Sequence, residues 1–103
     1  MRSEAVMKMI LAIYNAAVDE EVMDALHDAG VKCYTKWPQV LGHGQQTGPR
    51  LNTHVWPGAN CVTMMVVSDD LAPEIMAAMR SLRRTLGEKE GVKAFLLNVE
   101  DQT

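Results

Sequence analysis

Two segments of this chain are apolar on both of their alternating faces, Val6 to Tyr14 (VMKMILAIY) and Cys61 to Val67 (CVTMMVV). In the first, Met7, Met9, Leu11 and Ile13 oppose Val6, Ile10 and Ala12. A strand with one wet side needs apolar residues only at every second position, so both segments are predicted to be central strands covered on each face. Whatever surrounds them must supply two layers of apolar contact, and that demand restricts the folds open to 103 residues.

The intervening segments supply one of those layers. Asp19 offers an N-cap, Glu20 and Glu21 suit the positive end of a helix, and Val22, Ala25, Leu26 and Ala29 recur at helical spacing until Gly30 closes the segment. A second helix is predicted after Cys61 to Val67. Ser68, Asp69 and Asp70 provide capping groups, Pro73 fits the first turn, Ile75, Met79, Leu82 and Leu86 form the apolar stripe, and Gly87 stops it. Val31 to Val40 is rich in strand formers, with Pro38 confining its part to a sheet edge, a bulge or a strand end. Val92 to Val99 reads as a fourth strand, followed by a polar tail. The order βαββαβ predicts an α+β, ferredoxin-like fold over a single domain, residues 1–103, with two helices on one face of a four-stranded antiparallel sheet. The opposite face is then bare and apolar, which predicts oligomerisation, as a dimer or as a trimer with sheets facing a central axis.

Charge and composition remove several classes of function. Lys8, the run Asp19 to Glu21, and Asp69 with Asp70 break every apolar run before it reaches bilayer length, and Met1 to Ala5 begin no export signal, so a soluble cytoplasmic protein is expected. Cys33 and Cys61 form no CxxC pair and are expected as free thiols in the core. The net charge of −3 argues against nucleic acid as a partner, and Arg80, Arg83 and Arg84 read as a solvated helix face. Met7, Met9, Met64, Met65, Met76 and Met79 fall where a core needs them.

The long connection Leu41 to Asn60, LGHGQQTGPRLNTHVWPGAN, carries glycine at 42, 44, 48 and 58 and proline at 49 and 57. A connection of this length ordinarily marks either function or disorder. Arg50 is a cation able to meet a carboxylate or phosphate there, and Trp37 and Trp56 flank the loop as anchors for a subunit contact or a partner. The segment Gly42-His43-Gly44-Gln45-Gln46-Thr47-Gly48 resembles the G-F-G-R-Q-K-G segment that opens the T-loop of nitrogen regulatory P-II proteins, and it follows the second strand as it does in that family. Gly91 and Lys93 look similar to the G-x-G-K segment before the last P-II strand. The resemblance implies a homotrimer that binds a small anionic effector, an adenine nucleotide, in clefts between subunits, and that regulates a partner such as a membrane transporter through its loop. It implies Gly42, Gly44, Gln46 and Gly48 as effector-binding residues, joined by Arg50 and Lys93, with no cofactor required. The loop from Gly48 to Asn60 is shorter than a T-loop and has no tyrosine to accept a modification, and the phosphate-binding arginines of the family have no counterpart before Thr103.

Two other readings stay open. The architecture is also similar to CutA-type cation-tolerance trimers, for which His43 and His54, with Cys33 or Cys61, would bind copper or zinc, although their spacing matches no metal motif. A small-molecule isomerase with His43 or His54 as general base rests on fold analogy. No nucleophile with a base, carboxylate pair or metal triad occurs in a supporting context, so the chain is not expected to be an enzyme.

Overall fold

A computed structural model describes residues 6–45, 47–54 and 58–103. Trp56 and Gln46, both singled out above, lie outside them. The elements run β1 (Met7–Asn15), α1 (Asp19–Asp28), β2 (Thr35–Val40), β3 (Gly42–Gly44), β4 (Gly48–Arg50), β5 (Asn60–Ser68), α2 (Ala72–Leu86) and β6 (Lys93–Asn98), with single 3-10 turns at Ala16–Val18 and Glu88–Glu90. The main sheet has the order β2-β5-β1-β6, every neighbour antiparallel. This is the predicted α+β ferredoxin-like arrangement, with the two doubly apolar segments in the centre.

The alternation of β1 and β5 builds the core. Ile10, Ala12 and Tyr14 of β1 and Cys61, Thr63, Met65 and Val67 of β5 are buried under the helices. α1 contributes Val22 and Leu26, and α2 contributes Ala72, Ile75 and Met79. Gly30 ends α1 as expected. At φ +103° it lets its own N–H reach the His27 carbonyl and the Val31 N–H reach Leu26, and Val31 turns back into the core. Pro38 falls on edge strand β2, whose register with β5 shifts between Trp37 and Val40, so the missing N–H is accommodated where no ladder needs it.

Five local expectations change. β2 starts at Thr35 and not Val31, and Cys33 is exposed in the preceding connection, while Cys61 is buried. Asp19 does not cap α1, because a 3-10 turn precedes the helix and the Asn15 side chain caps that turn by accepting from the Ala17 N–H at 3.0 Å. Leu71 occupies the N-cap of α2 without a side-chain bond, so Ser68, Asp69 and Asp70 do not cap it, though Pro73 stands in the first turn. The glycine-rich connection contains a second, two-stranded sheet of β3 and β4.

The other face of the main sheet carries Met9 opposite Leu97 and Val66, Leu11 opposite Phe95 and Met64, and Ile13 opposite Val62. Phe95 and Leu97 are exposed, and Trp37 beside Val62 is 45% exposed. Each of the four strands gives this face apolar residues, with Thr35 and Lys93 as its polar positions on β2 and β6, and no element of the chain covers it among the described residues.

Candidate functional site

The glycine-rich hairpin does not stand away from the domain. β3 and β4 pair Gly42 with Arg50, His43 with Pro49 and Gly44 with Gly48, so the predicted loop residues sit on two short strands facing each other. Gly48 has φ +71°, a left-handed conformation that closes the hairpin and that other residues adopt at a cost. A Cβ at Gly42 would lie 2.4 Å from the Asn60 amide nitrogen, so this glycine is required for close packing against the start of β5.

Arg50 explains why the hairpin folds back. It is 8% exposed, and its Nη1 donates to Asn60 Oδ1 at 2.8 Å while its Nη2 donates to the Lys89 carbonyl. The hairpin is thereby fastened to the start of β5 and to the 3-10 turn before β6. That turn is tied from a third side, since Asn15 Nδ2 donates to Glu90 Oε2 at 3.1 Å. Gly91, at the end of the turn, has φ +64°, and a Cβ there would stand 2.9 Å from Thr47 Cγ2 and 3.1 Å from Arg50 Nη1. The hairpin and the 88–91 turn thus touch across a position where only glycine fits.

Gly42, Gly44, Gly48 and Arg50 therefore share one small structure. Lys93 begins β6 two residues beyond Gly91, exposed and level with Ile13 on the open sheet face. Arg50 is committed to partners within the chain, where the sequence left it open to an anion. Asn60, Thr47 and the Lys89 carbonyl carry the contacts that reading the chain missed. Gly91 was the one signal available, as half of a short motif, but its contact with Thr47 and Arg50 appears only in three dimensions.

His43 is exposed on β3 and His54 is exposed in the bend after β4. Among the described residues no three His, Cys, Asp or Glu side chains gather as metal ligands. Cys61 instead donates to Asp19 Oδ1 at 3.6 Å, beside the phenol of Tyr14, and both belong to a polar centre beneath α1. There Tyr14 donates to Asp19 at 2.6 Å and shares a hydrogen bond with Thr63 at 2.8 Å, and Lys36 Nζ meets both Asp19 oxygens at 2.9 and 2.8 Å. Burial, with the Asp19 hydrogen bond, pushes the Tyr14 phenol far above its usual range. Burial also acts to raise the Asp19 carboxyl, but hydrogen bonds from Lys36 and Tyr14 outweigh it and hold the group below the usual carboxylate range.

Comparison with known proteins shows the family and the fold. The family model described as nitrogen regulatory protein P-II matches residues 7–103. The nitrogen fixation nifHD region GlnB-like protein 1 of Methanothermobacter marburgensis is 36% identical over 95 residues, covering 92% of this chain and 90% of its own. Its Methanococcus maripaludis namesake is 31% identical over 96 residues, covering 92% and 90%. Among solved structures, the PII-like protein CPII of Thiomonas intermedia, bound to ADP, AMP and bicarbonate, superposes with a TM-score of 0.74 at 20% identity, over 91% of this chain and 86% of that one. Arabidopsis thaliana PII bound to citrate gives 0.66 at 22% identity, over 93% and 79%.

Proposed function

The chain belongs to the nitrogen regulatory protein P-II family, and from that premise we propose that it is a homotrimeric regulator that binds an adenine nucleotide beside the Gly42–Arg50 hairpin and signals by changing how that hairpin is held. Proteins of the family are regulatory and not enzymes, and no turnover is required here. The observation that carries the reading is the Arg50 junction, which joins the hairpin to the turn before β6. Two segments far apart in sequence are held together there, with glycines 42, 44 and 91 packed closely against Asn60, Thr47 and Arg50, and glycine-rich backbone of this kind is suited to presenting N–H groups to a phosphate or a ring. Lys93 supplies an exposed cation at the same end of β6.

The open apolar face supports assembly. Met9, Leu11, Ile13, Met64, Phe95 and Leu97 would be buried if sheets of several copies met, which removes a patch larger than soluble monomers tolerate. The nucleotide-bound Thiomonas relative supports the effector class, while the shorter loop of this chain supports a signal carried by the hairpin and by exposed Leu51, Asn52 and His54. An effector that prefers one hairpin arrangement shifts the population presented to a regulated protein such as a membrane transporter, in the cytoplasm.

The test is calorimetric titration with ATP, ADP and AMP, with the mass in solution measured alongside, on the parent protein and on Gly44→Asp. A Cβ at Gly44 would lie 2.7 Å from Thr47 Oγ1, and the added carboxylate repels phosphate. Saturable nucleotide binding by a trimer, lost in the variant, is the expected result. Absence of nucleotide binding in a folded trimer would remove the effector assignment, and a monomer would remove the assembly.

A further inference from the structure

A second group of cations lies on the opposite side of β6 from the centre of the sheet. A cavity of about 330 Å³ opens between α2 and β6, within the range that accepts small molecules. Arg80, Arg83 and Lys93 line it, and Met76, Met79 and Phe95 give it an apolar wall. Among the described residues no acidic side chain lines it. The ion pairs among the described residues are Lys8–Asp69 and Lys36–Asp19, so none of these three cations is neutralised by a neighbouring carboxylate.

The arrangement is also partly fixed in advance. Arg83 Nη1 donates to the Val92 carbonyl at 2.6 Å, which holds its guanidinium at the cavity while the outer side of its donor fork has no partner among the described residues. Arg80 stands one turn earlier on the same helix face. Beneath them Met79 is 3% exposed and Val92 1% exposed, so the floor is dry and the rim is charged. A bare inorganic anion would satisfy the rim and waste the floor. A neutral apolar molecule would do the reverse.

We propose that this cavity binds a small organic anion with an apolar body, of the class of aryl-alkyl carboxylates. The carboxylate is received by Arg80 and Arg83, with Lys93 adding charge, and the apolar body lies against Met76, Met79 and Val92 on the helix side of β6, clear of the open face that assembly would cover. Guanidinium groups match a planar carboxylate in geometry as well as charge. The inference does not rest on the nucleotide reading, which uses the hairpin and the 88–91 turn. Since Lys93 stands close to both, the test depends on the two arginines.

Methionine methyl groups labelled with ¹³C report on two surfaces at once, Met76 and Met79 at the cavity and Met9 and Met64 on the open sheet face. The full chain is titrated with 4-phenylbutyrate, with its neutral amide and with inorganic phosphate. The expected result is a saturable shift of the Met76 and Met79 signals with phenylbutyrate and none with phosphate, Met9 and Met64 staying still, and an affinity about tenfold lower for Arg80→Gln and for the amide. Arg83→Gln should weaken binding further, but it also removes the bond to Val92. Arg80→Gln has no such bond to lose among the described residues, so it decides the matter if the helix end frays in the other variant. Equal binding of the amide, the same shifts with phosphate, shifts confined to Met9 and Met64, or no saturable shift would each overturn the proposal.

Discussion

Asp19 and Arg50 each gather polar partners close to where β1 ends and β5 begins, a stretch in which Tyr14 faces Cys61 and Asn15 faces Asn60. They fasten different things. Asp19, with its side chain 34% exposed, binds side chains of β1 and β2 to the first turn of α1, at the margin of the helix-on-sheet layer that makes the core. Arg50 binds one surface hairpin to one surface turn, using a side-chain oxygen and a backbone carbonyl. The first centre lies among elements that unfold together, and the second joins segments able to separate while the core stays intact. Stability and effector response should therefore divide between them.

The most damaging way to test that division is Asp19→Ala. It leaves Lys36 without its carboxylate and the buried Tyr14 hydroxyl with Thr63 alone, and bonds of this charged kind are each worth about 1.5 to 3 kcal/mol. We expect urea unfolding to show a loss of about 2 to 3 kcal/mol, with nucleotide affinity of the remaining folded protein within about twofold of the parent. An equal loss of affinity would mean that the two centres are one.

Arg50→Ala should give the opposite pattern. Two acceptors lose their donor at a partly solvated junction, so global stability should fall by about 1 kcal/mol, whereas hydrogen exchange of β3 and β4 amides should accelerate and nucleotide affinity should drop at least about tenfold. Arg50→Lys should resemble Arg50→Ala in both readouts, because one ammonium on a flexible stem does not reproduce a planar fork reaching Asn60 and Lys89 together. Unchanged exchange in either variant would show that the hairpin is held by its own glycine geometry.

The pH dependence sharpens the same contrast at smaller amplitude. The Asp19 pKa is lower in the folded chain than in the unfolded one, so its contribution is complete above the unfolded value of about 4 and declines as pH falls through the folded value. The Tyr14 pKa is raised, so its contribution is complete below the unfolded value of about 10 and declines at higher pH. Equilibrium unfolding measured across pH should show the acid decline reduced in Asp19→Asn and the alkaline decline reduced in Tyr14→Phe. Arg50→Ala should retain both.

These two centres were unequally legible in the sequence. The succession of the four main-sheet strands and two helices along the chain, both helical stripes and the stops at Gly30 and Gly87 follow from local periodicity and backbone preference, and the structure has them in those places. Asp19 was visible only as a helix cap, since a carboxylate before an amphipathic run is ordinarily one. Asn15 takes up capping of the 3-10 turn instead, and Asp19 is left to turn toward Tyr14 and Lys36, partners on two strands. The hairpin glycines were recognisable from their spacing. The destination of Arg50 was not, because one of its acceptors is a backbone carbonyl 39 residues away, and a carbonyl has no residue type to read. Cys33 misled for a related reason: it lies in a run of strand formers, yet the turn that returns Val31 to the core sends the next residues outward.

Lys93→Ala gives the smallest expected effect on the fold. Lys93 is exposed at the start of edge strand β6, and it has no ion-pair partner among the described residues, so unfolding free energy should stay within about 0.5 kcal/mol of the parent. Its value lies in separating a cation that builds the site from one that meets the ligand. Arg50 is spent on the chain itself, and removing it should weaken adenosine and ADP alike, because the whole hairpin is released. Lys93 is unspent, and removing it should weaken ADP by about tenfold while leaving adenosine unchanged, since only the phosphates carry charge for it to meet. Equal losses for the two ligands would make Lys93 a second positioning residue, and no loss for either would leave the backbone of the hairpin and the 88–91 turn as the phosphate-binding surface.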